Sequence, residues 1–264
     1  MSAGATFLVA RNTMARHLRT ARFWLMTVLS SVPFWVALIA GGELQQFFGT
    51  TLFLSYQVVL PLLGLIMGVS VLQDEIEGRT ITYLYTTPMS RASVFLGRLL
   101  GTYAAFAPLL FLSVLGSGLV YTDAGAELGM RRAAQSDFLT AHQMWATAAF
   151  AAAGFLVYLT FFASLRAILK KAFGIGFILT FLVEGAVSKI PQGDIAQLSV
   201  WRHVALGFLK TFEEWPSGFT KMFPELGHPG GGEWRTLLVI FVGALVVGLW
   251  AVREREVRLP ASVA

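Results

Sequence analysis

The densest acids in the first half of the chain are Asp74, Glu75 and Glu77, followed at once by Arg79. Paired carboxylates beside an arginine can activate water by general-base catalysis, so Asp74, Glu75 and Arg79 define one reading, an intramembrane hydrolase. That chemistry also needs histidines or asparagines at the same membrane depth. His142 opens the fourth apolar run on the far side and His17 precedes the first, so neither converges with Asp74. The remaining histidines, His203 and His228, form no HExxH and no i, i+4 pair, which leaves a zinc site without support. Cys 0 removes disulfides, thiolate metal sites and cysteine nucleophiles. The other conspicuous acid is Glu184, inside an apolar run. A carboxylate at the centre of a membrane helix costs roughly 2.5 to 3.5 kcal/mol and defaults to a functional assignment. Counted from Ala172 at about 1.5 Å per residue, Glu184 lies roughly 18 Å along its helix. There it either lines the outer part of a pathway or snorkels outward to pair with Lys189.

The elements that hold these groups are membrane spans. The 264 residues are 56% hydrophobic and 13% charged, with a mean hydropathy of +0.67, against roughly 25% charge in a soluble domain. Charge is bunched between long uncharged runs, so the net charge of +5 reflects loops between spans rather than a nucleic-acid-binding face. A span takes about 20 apolar residues. Six segments approach that length: Phe23 to Gly42, Thr51 to Gln73, Leu99 to Tyr121, Ala141 to Leu165, Ala172 to Ser188 and Thr236 to Val252, the last two being the shortest. The arginines ahead of Phe23 imitate a signal peptide, but without a small-x-small cleavage site the segment reads as an uncleaved first span.

The basic residues orient these spans. Arg11, Arg16, Arg19, Arg22, Arg79, Arg91, Arg98, Arg166, Lys170, Lys171, Arg253, Arg255 and Arg258 fall on one side, thirteen of the 20 Lys and Arg. By the positive-inside rule that side is cytoplasmic, with both termini on it. Ahead of the first span, Phe7, Ala10, Met14, Leu18 and Ala21 share a helical face opposite Asn12, Arg16, Arg19 and Thr20, the pattern of an interfacial amphipathic helix lying among lipid. Gly64 with Gly68, Gly97 with Gly101, and Gly174 with Gly176 permit close helix approach, and Pro33, Pro61 and Pro108 are expected to kink their helices. The loop from Lys189 to Arg235 carries Trp201, Val204, Leu206, Phe208 and Leu209, too short to span and too apolar to float. It reads as re-entrant or interfacial. The expectation is thus an all-α polytopic membrane protein of about six spans forming a single domain, residues 1–264.

Between the second and third apolar runs stands Gln73-Asp74-Glu75-Ile76-Glu77-Gly78-Arg79-Thr80-Ile81-Thr82-Tyr83-Leu84-Tyr85-Thr86-Thr87-Pro88-Met89-Ser90-Arg91, followed by Leu96-Gly97-Arg98. A cytoplasmic helix with carboxylates in its first turn is favoured by the helix dipole. Its apolar Ile76, Tyr83, Leu84 and Tyr85 then form a surface suited to a soluble partner. The segment resembles that of type 2 ABC exporter permeases, in which an acidic cluster leads through a threonine and a leucine-containing turn to Pro-x-Ser-Arg. Here Asp74, Glu75 and Glu77 match the acids, Thr80 the threonine, Leu84 the turn, and Pro88, Ser90 and Arg91 the Pro-x-Ser-Arg. Arg98 stands where the family more often has Lys.

The resemblance implies a coupling helix that docks an ABC ATPase through Asp74, Glu75, Glu77, Arg79, Leu84, Pro88 and Arg91. It further implies a second permease copy, export through the interface between the two, and residence in the cell inner membrane. ATP and Mg would be bound by the partner ATPase. The sequence contains neither GxxxxGK[ST] nor any Gly-Lys pair, so this chain is not expected to bind ATP through a phosphate loop, to carry a cofactor of its own, or to be an enzyme. A non-transporting membrane anchor is a further alternative. No residue selects a substrate.

Overall fold

A computed structural model describes residues 3–40, 44–77, 90–122, 139–186, 199–212 and 233–254. Arg79, Leu84, Pro88, Lys189, Arg255 and Arg258 lie outside them, as do most of the two long loops. The side chains of Asp74, Glu75 and Glu77 are likewise outside the description, although their backbone is helical. The described residues are helical or in short turns, without a strand, so the all-α class holds.

The helices are α1 (Ala3–Leu18), α2 (Ala21–Ala40), α3 (Leu44–Gly49), α4 (Leu60–Glu77), α5 (Arg91–Leu119), α6 (Ala141–Ile168), α7 (Ala172–Thr180), α8 (Val200–Leu209) and α9 (Glu233–Glu254). Two stretches are π-helical, Thr50–Val59 between α3 and α4 and Phe181–Ala186 after α7. Among the described residues five helical runs are long and apolar enough to cross a membrane: Ala21–Ile39, Phe47–Gln73, Arg91–Leu119, Ala141–Ile168 and Glu233–Glu254. The fifth expected span falls short, because Ala172–Gly185 covers only roughly 20 Å at 1.5 Å per residue, against about 30 Å of hydrocarbon. The third begins earlier than hydropathy indicates. Ser90 accepts a hydrogen bond from Ser93 N at 3.2 Å, and this cap lets the helix start at Arg91 in spite of its charge. Thr140 and Gln143 form a full capping box at the start of α6.

The second and fourth spans make the centre, each 67% buried over its most apolar stretch, whereas the last is 17% buried and peripheral. Gly64 and Gly68 let α4 lie directly on α6: a Cβ at Gly68 would meet Leu159 O at 2.7 Å and Phe162 Cβ at 2.8 Å. Gly176 sits against Leu65 and Phe162, whereas a Cβ at Gly174 would meet no atom of another element within 4 Å among the described residues.

Gly97 and Gly101 find an unexpected partner. A Cβ at Gly97 would strike Thr6 O at 2.7 Å, and one at Gly101 would strike Thr13 Cβ at 2.8 Å and the Ala10 carbonyl. The helix they receive is therefore α1, not another span, and His17 Nε2 lies 3.0 Å from Thr102 Oγ1 with its ring edge-on to Phe106. Ala10 accordingly belongs to the face on α5 rather than to the lipid stripe. Phe7, Leu8, Met14 and Leu18 remain exposed, as an apolar face toward lipid requires.

Pro61 stands one residue after the π-helical stretch. Proline has no N–H, and its ring crowds the carbonyl four positions back. Here the chain widens ahead of it, with Leu60 N–H reaching Ser55 O, and a carbonyl of the widened stretch, Leu52 O, accepts from another helix at Trp201 Nε1.

Candidate functional site

Two regions carry the residues singled out by chemistry. The first is the end of the bundle where α4 stops and α5 starts. Asp74, Glu75 and Glu77 occupy the last turn of α4, which continues the second span without a break to Glu77. The backbone of these acids thus continues the helix of the second span, and residues 78–89, which follow them, lie outside the described residues. Arg91 in turn begins α5, at a helix end that disfavours cations. This placement runs against local helix electrostatics, so the charge of Arg91 is not there to stabilise its own helix.

The second region surrounds Glu184. Its side chain is 4% exposed, so it neither snorkels to an outer surface nor stands in open solvent. One carboxylate oxygen accepts from Ser199 Oγ at 2.5 Å and from Trp201 N at 3.3 Å, and the other accepts from Val200 N at 3.1 Å. Ser199 Oγ also accepts from Arg202 N at 3.1 Å. Glu184 and Ser199 together cap the N-terminus of α8. A helix that begins inside a membrane protein has orphan N–H groups and no water to meet them, and a carboxylate there is also favoured by the dipole.

The capped helix is almost wholly buried, from Val200 to Leu209 apart from Arg202. Val204 Cγ2 would lie 2.8 Å from a Cβ at Gly154, midway along α6, and this depth makes α8 re-entrant rather than interfacial. The π-helical stretch of the second span completes the assembly. Trp201 Nε1 donates to Leu52 O at 3.0 Å, and Gln57 Nε2 donates to the backbone oxygen of Glu184 at 3.1 Å. Phe208 is ringed by Phe47, Phe48, Tyr56 and Phe212. Sequence reasoning singled out Glu184 but not Ser199, Gln57 or the capping role. The available signal was Ser199 directly ahead of the amphipathic run from Val200, the pattern of a helix N-cap.

The model of the ABC-2 family transporter protein matches residues 7–199, well over half of the chain and covering all the elements from α1 to the Glu184–Ser199 contact. The chain belongs to the ABC-2 transporter family. Comparison with curated proteins finds no match. As an ABC-2 transporter the chain is a multi-pass membrane permease, and its architecture assigns the conspicuous residues to two ends of one bundle. The match includes the whole acidic segment from Asp74 to Arg91 and stops where α8 begins.

Proposed function

We propose that this ABC-2 permease, residues 1–264 acting as one domain, is the membrane subunit of an ATP-driven exporter. It works as a pair of identical chains coupled to separate ATPase subunits in the cell inner membrane. The family match over residues 7–199 carries this reading. The bundle end bearing Arg91, Arg98, Arg166, Lys170, Lys171 and Arg253 faces the cytoplasm under the positive-inside rule, with both termini. Because the chain has no cysteine, a single cysteine at position 77 should resist an impermeant maleimide in intact cells and react after permeabilisation. Labelling before permeabilisation would reverse the orientation and remove the coupling role with it.

In this reading Asp74, Glu75 and Glu77, with Arg79, Leu84, Pro88 and Arg91, form the contact through which the ATPase moves the second and third spans. Continuity of α4 through Glu77 makes the element rigid, so displacement at its end passes into the span instead of being absorbed. Exposed ion pairs contribute roughly 0 to 1 kcal/mol each, so one neutralisation weakens docking modestly and two reversals do more. Glu75→Lys with Glu77→Lys is expected to leave the permease inserted at normal levels while lowering ATPase co-purification and stimulated ATP turnover. Unchanged values for both, at equal membrane levels, would return the segment to a plain loop. Glu184, which supports α8 among the second, fourth and sixth spans, lines the outer part of the pathway in this reading. Undiminished transport by Glu184→Gln would remove it from the pathway.

A further inference from the structure

The stretch ahead of Glu43 carries Arg11, Arg16, Arg19 and Arg22 and no acid. All four arginines are exposed, and the structure fixes how α1, which bears the first two, is turned. One face of α1 is seated on α5: Gly97 and Gly101 receive Thr6, Val9, Ala10 and Thr13, and His17 Nε2 lies 3.0 Å from Thr102 Oγ1. Going round the helix from that face at about 100° per residue, Met14, Phe7 and Leu18 come next, 37%, 71% and 43% exposed. The arc beyond them carries Arg11, Leu8 and Arg16, with Arg19 continuing it just past the helix. There Arg19 N donates to Arg16 O at 3.1 Å and Thr20 Oγ1 to His17 O at 2.8 Å, a closed turn that holds Arg19 and Arg22 at the elbow between α1 and α2.

We propose that this outer side of α1 binds the headgroups of anionic phospholipids, Arg11 and Arg19 holding phosphate oxygens while Phe7, Met14 and Leu18 lie among the first carbons of the chains. A helix of 16 residues covers roughly 24 Å and is too short and too charged to span. Its apolar arc and its arginine arc lie side by side, so burying the first in acyl chains brings the second to headgroup height. The guanidinium fork matches phosphate geometry. A zwitterionic headgroup offers the same phosphate but brings its own cation, which the neighbouring arginines oppose and no nearby acid of this segment offsets, so a net anionic lipid is preferred. An acidic protein surface could meet the arginines, but it would leave Phe7, Met14 and Leu18 beside them in water. A bilayer covers both arcs at once.

The test needs neither an ATPase nor a chosen orientation, so its failure leaves the permease reading standing. A bimane on Ala15→Cys, exposed on the same side of α1 and the sole thiol of the chain, reports the lipid beside the helix in phosphatidylcholine nanodiscs. A small fraction of the lipid is replaced by phosphatidylglycerol or phosphatidylcholine carrying a nitroxide near the head of one chain, and quenching is compared at equal fractions. Phosphatidylglycerol should quench about threefold to tenfold more strongly at low salt, and the difference should shrink in roughly 1 M salt. Arg11→Gln with Arg19→Gln, both exposed, should lower that ratio about twofold or more while leaving quenching by phosphatidylcholine unchanged. A bimane on Ala141→Cys, at the far end of α5 where Leu139 N–H meets Tyr121 O, should show no preference. Equal quenching by the two lipids at position 15, the same preference at position 141, or a ratio the double variant keeps in full would each overturn the inference. Equal quenching at position 15 combined with lost ATPase co-purification in the double variant would overturn it too, giving the arginines to a soluble partner.

Discussion

Replacing Glu184 by alanine should lower the unfolding temperature of the detergent-solubilised protein by roughly 6 to 12 °C, the equivalent of about 3 kcal/mol for a chain of this size. The substitution removes the acceptor for Ser199 Oγ, Val200 N and Trp201 N together. Loss of a cap costs about 0.5 to 2 kcal/mol, and each buried donor left without a partner adds about 1 to 3 kcal/mol. The Glu184 side chain is only 4% exposed, so solvent compensates poorly for the lost acceptor. Glu184→Gln keeps one oxygen acceptor in the same shape and should lose less than the alanine variant. Ser199→Ala keeps both amide contacts and should lose least. That order, read by intrinsic fluorescence during a thermal ramp, distinguishes a capping carboxylate from a residue that merely fills space. An alanine variant melting within 2 °C of the wild type would refute the capping role.

An even larger effect is expected at Gly68. Its Cβ position is blocked by Leu159 O at 2.7 Å and Ala163 N at 3.1 Å, both backbone atoms that no side-chain rotation can clear. Gly68→Leu must therefore separate α4 from α6, the two most buried spans, and break the contact that centres the bundle. Overpacking commonly costs about 1 to 3 kcal/mol where side chains can yield; here only the backbone can, so the loss should exceed that range. The measurement is the monodisperse fraction recovered by size-exclusion chromatography after detergent extraction, which should collapse for Gly68→Leu and stay near wild type for Gly174→Leu. The two glycines sit in similarly apolar helices, and among the described residues only at Gly68 would an added Cβ meet another element within 4 Å. Recovery of both variants at wild-type levels would refute the close approach.

What could be read from the chain alone was whatever depends on runs of residues: the long apolar helices, the glycine pairs and the acidic segment with its family resemblance. Apolar length is a local property, and the bilayer thickness converts it directly into a span. Which way each apolar face turns was not legible, because lipid and protein interior are equally apolar and hydropathy cannot separate them. Trp250 is 60% exposed and Trp201 is 1% exposed, yet both stand in similarly apolar company. The seat of α1 on α5 and the depth of α8 rest on pairs such as His17 with Thr102 and Trp201 with Leu52, separated by 85 and 149 positions. No periodicity carries such pairings. Where the acids fall on their helix was also a tertiary outcome, since the apolar run ends at Gln73 but the helix continues to Glu77. Glu184 shows the division most sharply. Its sequence marked it as a costly charge in an apolar helix, and only the folded chain supplies what makes it tolerable: the orphan amides of a helix that begins inside the protein, aimed at it from 16 and 17 positions away.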